Sequence, residues 1–185
     1  MTRFVVEAHG DLLTTGRAVG ARVGAGRARI VRSIGEDVGF ARGDVLVATS
    51  TSPDWEPLMK IASAVVTEHG GRTCHAAIVA RELGIPAVVG TGDATGTITD
   101  GEEVTVSCAE GDDGHVYRGL ADFHANEVAT ELTARPRTHV MLNVGNPGIA
   151  FESSFLPNDG VGLARMEFIL AEHVRVHPLA ALHPE

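Results

Sequence analysis

A histidine can act as a nucleophile when its ring is presented rather than buried. The stretch GGRTCHAAIVARELGIPAVVG, residues 70–90, presents one. His75 follows two glycines, Gly70 and Gly71, and has the hydroxyl of Thr73 and the thiol of Cys74 beside it. Free imidazole titrates near ~6.5, so around neutral pH most of it is uncharged and nucleophilic. Such a ring can take a phosphoryl group on one nitrogen while a hydrogen bond holds the other. A helix start just after the glycines would add backbone N–H donors and a positive dipole end for an incoming dianion. The glycines leave the approach path without side chains. The residues alone keep two other roles open. His75 could hydrogen-bond within its own capping loop, or could bracket a metal with His69 and Cys74, although that spacing matches no common zinc pattern. His9, His115, His124 and His139 stand in ordinary strand or loop contexts.

The elements that must position His75 read as follows. DVLVATS (44–50) is a short apolar strand. SPDWEPLMKIASA (52–64) has helix-start chemistry, with Ser52 to cap, Pro53 in the first turn, and Asp54 and Glu56 near the positive end. Trp55, Leu58, Met59 and Ala62 share one face, which makes Trp55 a core residue. AVVTEHG (64–70) is a second strand that delivers the chain into the glycine loop. A helix over about 74–83 follows, with Thr73 as its N-cap and with Ala76, Val79, Ala80 and Leu83 on its inner face. Gly84 and Pro86 end it. PAVVGT (86–91), EEVTVSC (102–108) and the end of GDDGHVYRG (111–119) are further strands. Upstream, RARIVRS predicts a strand at 27–33, and the glycine-punctuated run Gly16–Gly26 reads as loop or turn.

The first unit is therefore expected to span 1–120. Residues 121–138 read as a linker, partly helical, because the pattern weakens and Pro136 intervenes. HVMLNVG (139–145) is a buried-type strand, NPGIAFESSFL (146–156) a helix capped by Asn146, and GVGLARMEFIL (160–170) a strand entering a helix. That order predicts the βαβ opening of a parallel α/β structure in 139–185.

Composition excludes several function classes. The 185 residues carry a formal net charge of −9, which disfavours nucleic acid and anionic membrane as partners. Two cysteines, Cys74 and Cys108, are too few for a disulfide scaffold and suit a reduced, cytoplasmic setting. Residues 1–11 carry charges throughout, a pattern expected of a chain without a signal-peptide core, and no apolar run approaches membrane-spanning length.

GGRTCHAAIVARELGIPAVVG closely resembles the phosphohistidine signature of the phosphoenolpyruvate (PEP)-utilising enzymes, and TCHAAI is similar to the wording of their PEP synthase (pyruvate, water dikinase) branch. GRAVG, GAGRARIV, GDVLVATSTSPDWEPLMKIASAVVTEHGG, GEEVTVSCAEGDDGHVYRG, VMLNVGNP and LPNDGVGLARMEFIL extend the resemblance along nearly the whole chain. It implies an α/β protein: a swivelling β/β/α phosphohistidine domain at 1–120, followed by an incomplete start of a (β/α)8 barrel that binds PEP and pyruvate. The implied reaction converts ATP, pyruvate and water to AMP, PEP and phosphate, with His75 phosphorylated on its tele nitrogen. Arg165 matches the barrel arginine that binds the phosphate or carboxylate of pyruvate and PEP, a task suited to a planar guanidinium. Thr73 matches the threonine modified by a regulatory kinase and phosphorylase, where a phosphate would repel the incoming dianion. Gly70, Gly71 and Cys74 form the supporting loop.

The resemblance also implies ATP as substrate of a separate nucleotide-binding domain, and Mg2+ held by ligands outside these 185 residues. Cys108 is not the family's proton-donating cysteine, since it falls in the carrier domain. The expectation is a phosphoryl carrier that does not complete the reaction alone and works with complementary domains, on this or another chain. The alternative is a stand-alone carrier or regulatory module phosphorylated by a separate protein.

Overall fold

A computed structural model describes residues 2–35, 39–127, 136–145 and 147–170. They fall into two compact units, Thr2–Glu127 and a second from residue 128 onward. The first holds a closed barrel of seven strands: β2 (Leu12–Val19), β3 (Val23–Ile30), β4 (Val45–Ala48), β5 (Ala64–Thr67), β6 (Ala87–Val89), β7 (Glu103–Ser107) and β8 (Asp113–Arg118), with order β2-β6-β5-β4-β3-β7-β8. β3, β4, β5 and β6 run parallel, whereas β7, β8 and β2 pair antiparallel and close the ring. Along β4, Val45 and Val47 enter the barrel interior, and Leu46 and Ala48 face outward. Those outward residues are buried as well, because α1 (Glu56–Met59) and α2 (His75–Leu83) cover that face with Met59, Ala76, Ala77, Val79 and Ala80. The layers are thus antiparallel half, parallel half and helices, which is the expected β/β/α arrangement. Two-sided burial is why the parallel strands read as continuous apolar runs rather than alternations.

Several local expectations need correction. The glycine-rich stretch read as loop is strand over Leu12–Val19 and again over Val23–Ile30. Its glycines mark close backbone crossings: a Cβ at Gly16 would lie 2.7 Å from the Val89 carbonyl oxygen, and one at Gly24 or Gly26 would overlap the Ser63 or Gly43 carbonyl. The expected helix over 52–64 is a single 3-10 turn, Pro53–Trp55, followed by the short α1, and Ser52 makes no side-chain cap bond. Trp55 is buried as expected. The N-cap of α2 is Cys74, not Thr73, because the first helical bond runs from the Ile78 N–H to the Cys74 carbonyl at 3.0 Å. Gly84 ends α2 with a left-handed φ of 68°.

Residues 122–127, read as the start of a linker, form β9 (Asp122–Glu127), which pairs antiparallel with β1 (Thr2–Ala8) from Thr2↔Glu127 to Ala8↔Asp122. The pairing joins segments more than a hundred residues apart, so no local pattern announces it. The buried Thr105 hydroxyl roots this ribbon by donating to the Gly119 carbonyl and accepting from the Ala121 N–H, both at 2.8 Å. Residues 128–135 of the expected linker lie outside the described residues.

In the second unit, β10 (Leu142–Val144) and β11 (Val161–Ala164) run parallel, with α4 (Pro147–Ser154) between them and α5 (Met166–Ile169) after them. This is the expected βαβ order. β10, expected as a buried-type strand, is only partly buried, and β11 is exposed along its length. The proposed Asn146 cap lies outside the described residues, as does everything after Leu170.

Met59 seals the helix layer against the parallel strands and is fully buried. Met59→Ala is expected to destabilise the first unit by about 2–5 kcal/mol, read as a lower midpoint in urea unfolding.

Candidate functional site

Parallel strands end together, so the loops leaving β4, β5 and β6 gather at one edge of the barrel. The β5 loop carries His75 into the first position of α2. No side chain caps that helix start, leaving first-turn amides without intrahelical acceptors and a positive dipole end beside the ring. His75 is half-buried. Its Nδ1 lies 2.9 Å from Thr51 Oγ1, on the loop that follows β4. With Nδ1 engaged, Nε2 is the ring nitrogen left to react. In the tautomer where Nδ1–H donates to Thr51, Nε2 carries the lone pair. Sequence reading missed Thr51. The hydroxyl-rich TSTS run at 49–52 was the available signal, but nothing local connects it to a histidine 24 residues later.

The two glycines before His75 have different tasks. Gly70 has a φ of 120°, and a Cβ there would lie 2.7 Å from Cys74 Sγ. Gly71 has no positive φ, and a Cβ there would meet nothing within 4 Å. Gly70 therefore serves the fold, while Gly71 leaves open space beside the loop. The half-buried Cys74 packs under Gly70 and takes its own N–H to the Gly71 carbonyl at 3.0 Å. Arg72 pins the loop sideways, reaching Asp112 Oδ1 at 2.7 Å and the Asp112 carbonyl at 3.1 Å. Arg81, one helical stretch on, donates to the Arg72 carbonyl at 2.6 Å. Thr73 is exposed at the turn.

Glu68 opens the same loop. The hydroxyl and the N–H of Thr95, in α3 (Ala94–Thr97), both donate to its carboxylate and hold it below the usual carboxylate range, with smaller help from Thr49 and His69. Cys108 is a different kind of residue from Cys74. Burial pushes its thiol up to about 11, and Sγ donates to the Ala87 carbonyl at 3.2 Å, so it is a packed core group without thiolate chemistry.

Arg165 stands in the second unit, at the carboxyl end of β11, and its backbone N–H donates to the Val144 carbonyl at 2.8 Å. That end of a parallel strand is where α/β folds place ligand-binding residues. Arg165 is half-buried there. Among the described residues, no group of three or more His, Cys, Asp and Glu side chains is arranged to hold a metal ion, so His69, Cys74 and His75 do not form such a cluster. No helix among the described residues is long and apolar enough to cross a membrane.

Residues 40–111 match the family described as PEP-utilising enzyme, mobile domain. The chain is 57% identical over 184 residues to the phosphoenolpyruvate synthase of Deinococcus radiodurans, covering 98% of this chain and 23% of that protein. It is 54% identical over 182 residues to the phosphoenolpyruvate synthase of Escherichia coli, again covering 98% and 23%, and 51% identical over 179 residues to that of a Synechocystis strain. It thus spans about a quarter of the length of the curated relatives it matches. Among solved structures, an Enzyme I (nEIt) protein determined by NMR is 36% identical over 39% of this chain and 30% of its own, with a TM-score of 0.34.

The site makes two checkable statements. Gly70→Ala is expected to cost about 1–3 kcal/mol and to lower the melting temperature, whereas Gly71→Ala stays within about 0.5 kcal/mol of the parent. Equal losses from both would show that the loop does not divide its glycines in this way. In mildly alkaline buffer, a thiol reagent is expected to modify Cys74 in the folded chain and Cys108 only after denaturation, as read by mass spectrometry of the labelled peptides.

Proposed function

We propose that this chain, whose residues 40–111 match the mobile domain of the PEP-utilising enzymes, is the phosphoryl-carrier part of a phosphoenolpyruvate synthase. The overall reaction on this reading is ATP, pyruvate and water to AMP, PEP and phosphate. One observation carries the assignment: His75 Nδ1 is held by Thr51 Oγ1 at 2.9 Å at the start of α2. The lone pair of Nε2 attacks the β-phosphorus of ATP and the bond from that phosphorus to the AMP oxygen breaks, leaving a pyrophosphoryl group on the tele nitrogen. Water then removes the outer phosphate. The remaining phosphoryl passes to the enolate oxygen of pyruvate, and Nε2 regains its lone pair. Throughout, Nδ1–H donates to Thr51 and spreads the positive charge that develops on the ring.

The other assigned residues have supporting parts. The positive end of α2 favours the incoming anion, and the open space at Gly71 admits a bulky donor. Thr73, exposed two residues before the acceptor, is where a regulatory kinase would add a phosphate that repels that anion. Arg165 would bind the phosphate or carboxylate of PEP and pyruvate in a barrel that opens with β10 and β11. ATP would be presented to His75 by a nucleotide-binding domain, where Mg2+ would offset phosphate charge, and no described residue of this chain is assigned to hold either. The setting is the cytoplasm, and the partners are complementary domains of the same enzyme.

The test supplies the chain with the nucleotide-binding part of a homologous synthase, Mg2+ and ATP labelled in its β-phosphate. An acid-labile, alkali-stable phosphate on the parent chain and none on His75→Ala is the expected result. Thr51→Val should label roughly five- to tenfold more slowly. Label that survives His75→Ala would sink the assignment, and so would a parent chain that takes none.

A further inference from the structure

One carboxylate outside the reacting centre fastens the β5 loop where it leaves the barrel. Glu68 Oε1 accepts the Thr95 N–H at 2.9 Å and the Thr95 hydroxyl, which ties the β5 loop to α3 beyond β6. The Glu68 main chain is fixed at both ends, its N–H on the Ala48 carbonyl at 3.1 Å and its carbonyl on the Gly92 N–H at 3.0 Å. The next residue, His69, donates its N–H to the Thr49 carbonyl at 2.9 Å. Thr49 stands two residues before Thr51, whose hydroxyl sets the ring of His75. A short circuit therefore runs from the Thr95-anchored Glu68 to His69, across its N–H to Thr49, on to Thr51, across to His75, and back along the β5 loop. An ionised acceptor makes such bonds shorter and stronger than a neutral one does.

We propose that Glu68 is a positioning residue for His75: its carboxylate anchors the start of the β5 loop on α3, and with it the His69–Thr49 bond to the β4 loop, so that Thr51 engages Nδ1 and Nε2 is presented. Glu68 does not touch the ring and is not itself catalytic. The consequence for phosphoryl transfer rests on the carrier reading above, but the effect on the ring does not. A glutamate that merely capped α3 would alter stability and leave the imidazole unchanged.

Nitrogen-15 NMR of the His75 ring in the full chain reports which nitrogen bears the proton, and a melting curve reports the fold. In Glu68→Gln and in Thr95→Val, the ratio of Nδ1–H to Nε2–H tautomer is expected to fall roughly fivefold, the worth of one net hydrogen bond. The rate of phosphate incorporation should fall by a similar factor. Thr95→Ser, which keeps the hydroxyl, should restore both. An unchanged tautomer ratio in both variants, with only the melting temperature lowered, reduces Glu68 to a helix cap and overturns the proposal. If Glu68→Gln fails to fold, Thr95→Val decides alone. A parent chain that accepts no phosphate, yet shows the tautomer shift in the variants, would sink the carrier reading and leave the positioning role standing.

Discussion

A parallel strand buried on both faces can carry no working polar group along its length. β4, β5 and β6 are in that position, between the barrel interior on one side and α1 and α2 on the other. Their side chains are Val, Leu and Ala almost throughout. Even Thr67, the polar exception, turns its hydroxyl back onto the His69 carbonyl at 3.0 Å. Chemistry is consequently displaced to the residues just past each carboxyl end, where the chain regains solvent. Thr49 and Thr51, Glu68 and His75, and Thr91 through Thr95 all lie there. Because the three strands are in register, three short loops meet without any of them being long.

This constraint explains what was legible. α2, its Gly84 stop, the apolar strands and the burial of Trp55 follow from local periodicity and capping, and the sequence displays all of them. His75 stood out because two glycines and a helix start are contiguous with it. Thr51 and Thr95 did not stand out, since their partners are 24 and 27 residues away and the contacts exist only through strand register. Glycine was the main source of error. Gly16, Gly24 and Gly26 were taken for turn formers, but they lie inside strands where neighbouring carbonyls leave no room for a Cβ. A glycine needed for conformation and one needed for closeness look alike in a sequence. The β1–β9 ribbon was invisible for the same reason as Thr51, at much longer range.

The loop that bears His75 is held on several sides at once. Arg72 fastens it to Asp112, Glu68 to Thr95, His69 to Thr49, and Cys74 fills the space under Gly70. On the carrier reading proposed above, a ring fixed in this way loses its orientational entropy during folding rather than at each transfer, which is the advantage of a preorganised nucleophile. It also means that the loop cannot swing toward a distant donor or acceptor without breaking several bonds together. On that carrier reading, travel between two sites would be a motion of the whole unit. The unit is closed off by the β1–β9 ribbon, in which Thr2 pairs with Glu127 and both strands root in the barrel at neighbouring points. Thr2 and Glu127 therefore lie side by side at one end of the β1–β9 ribbon.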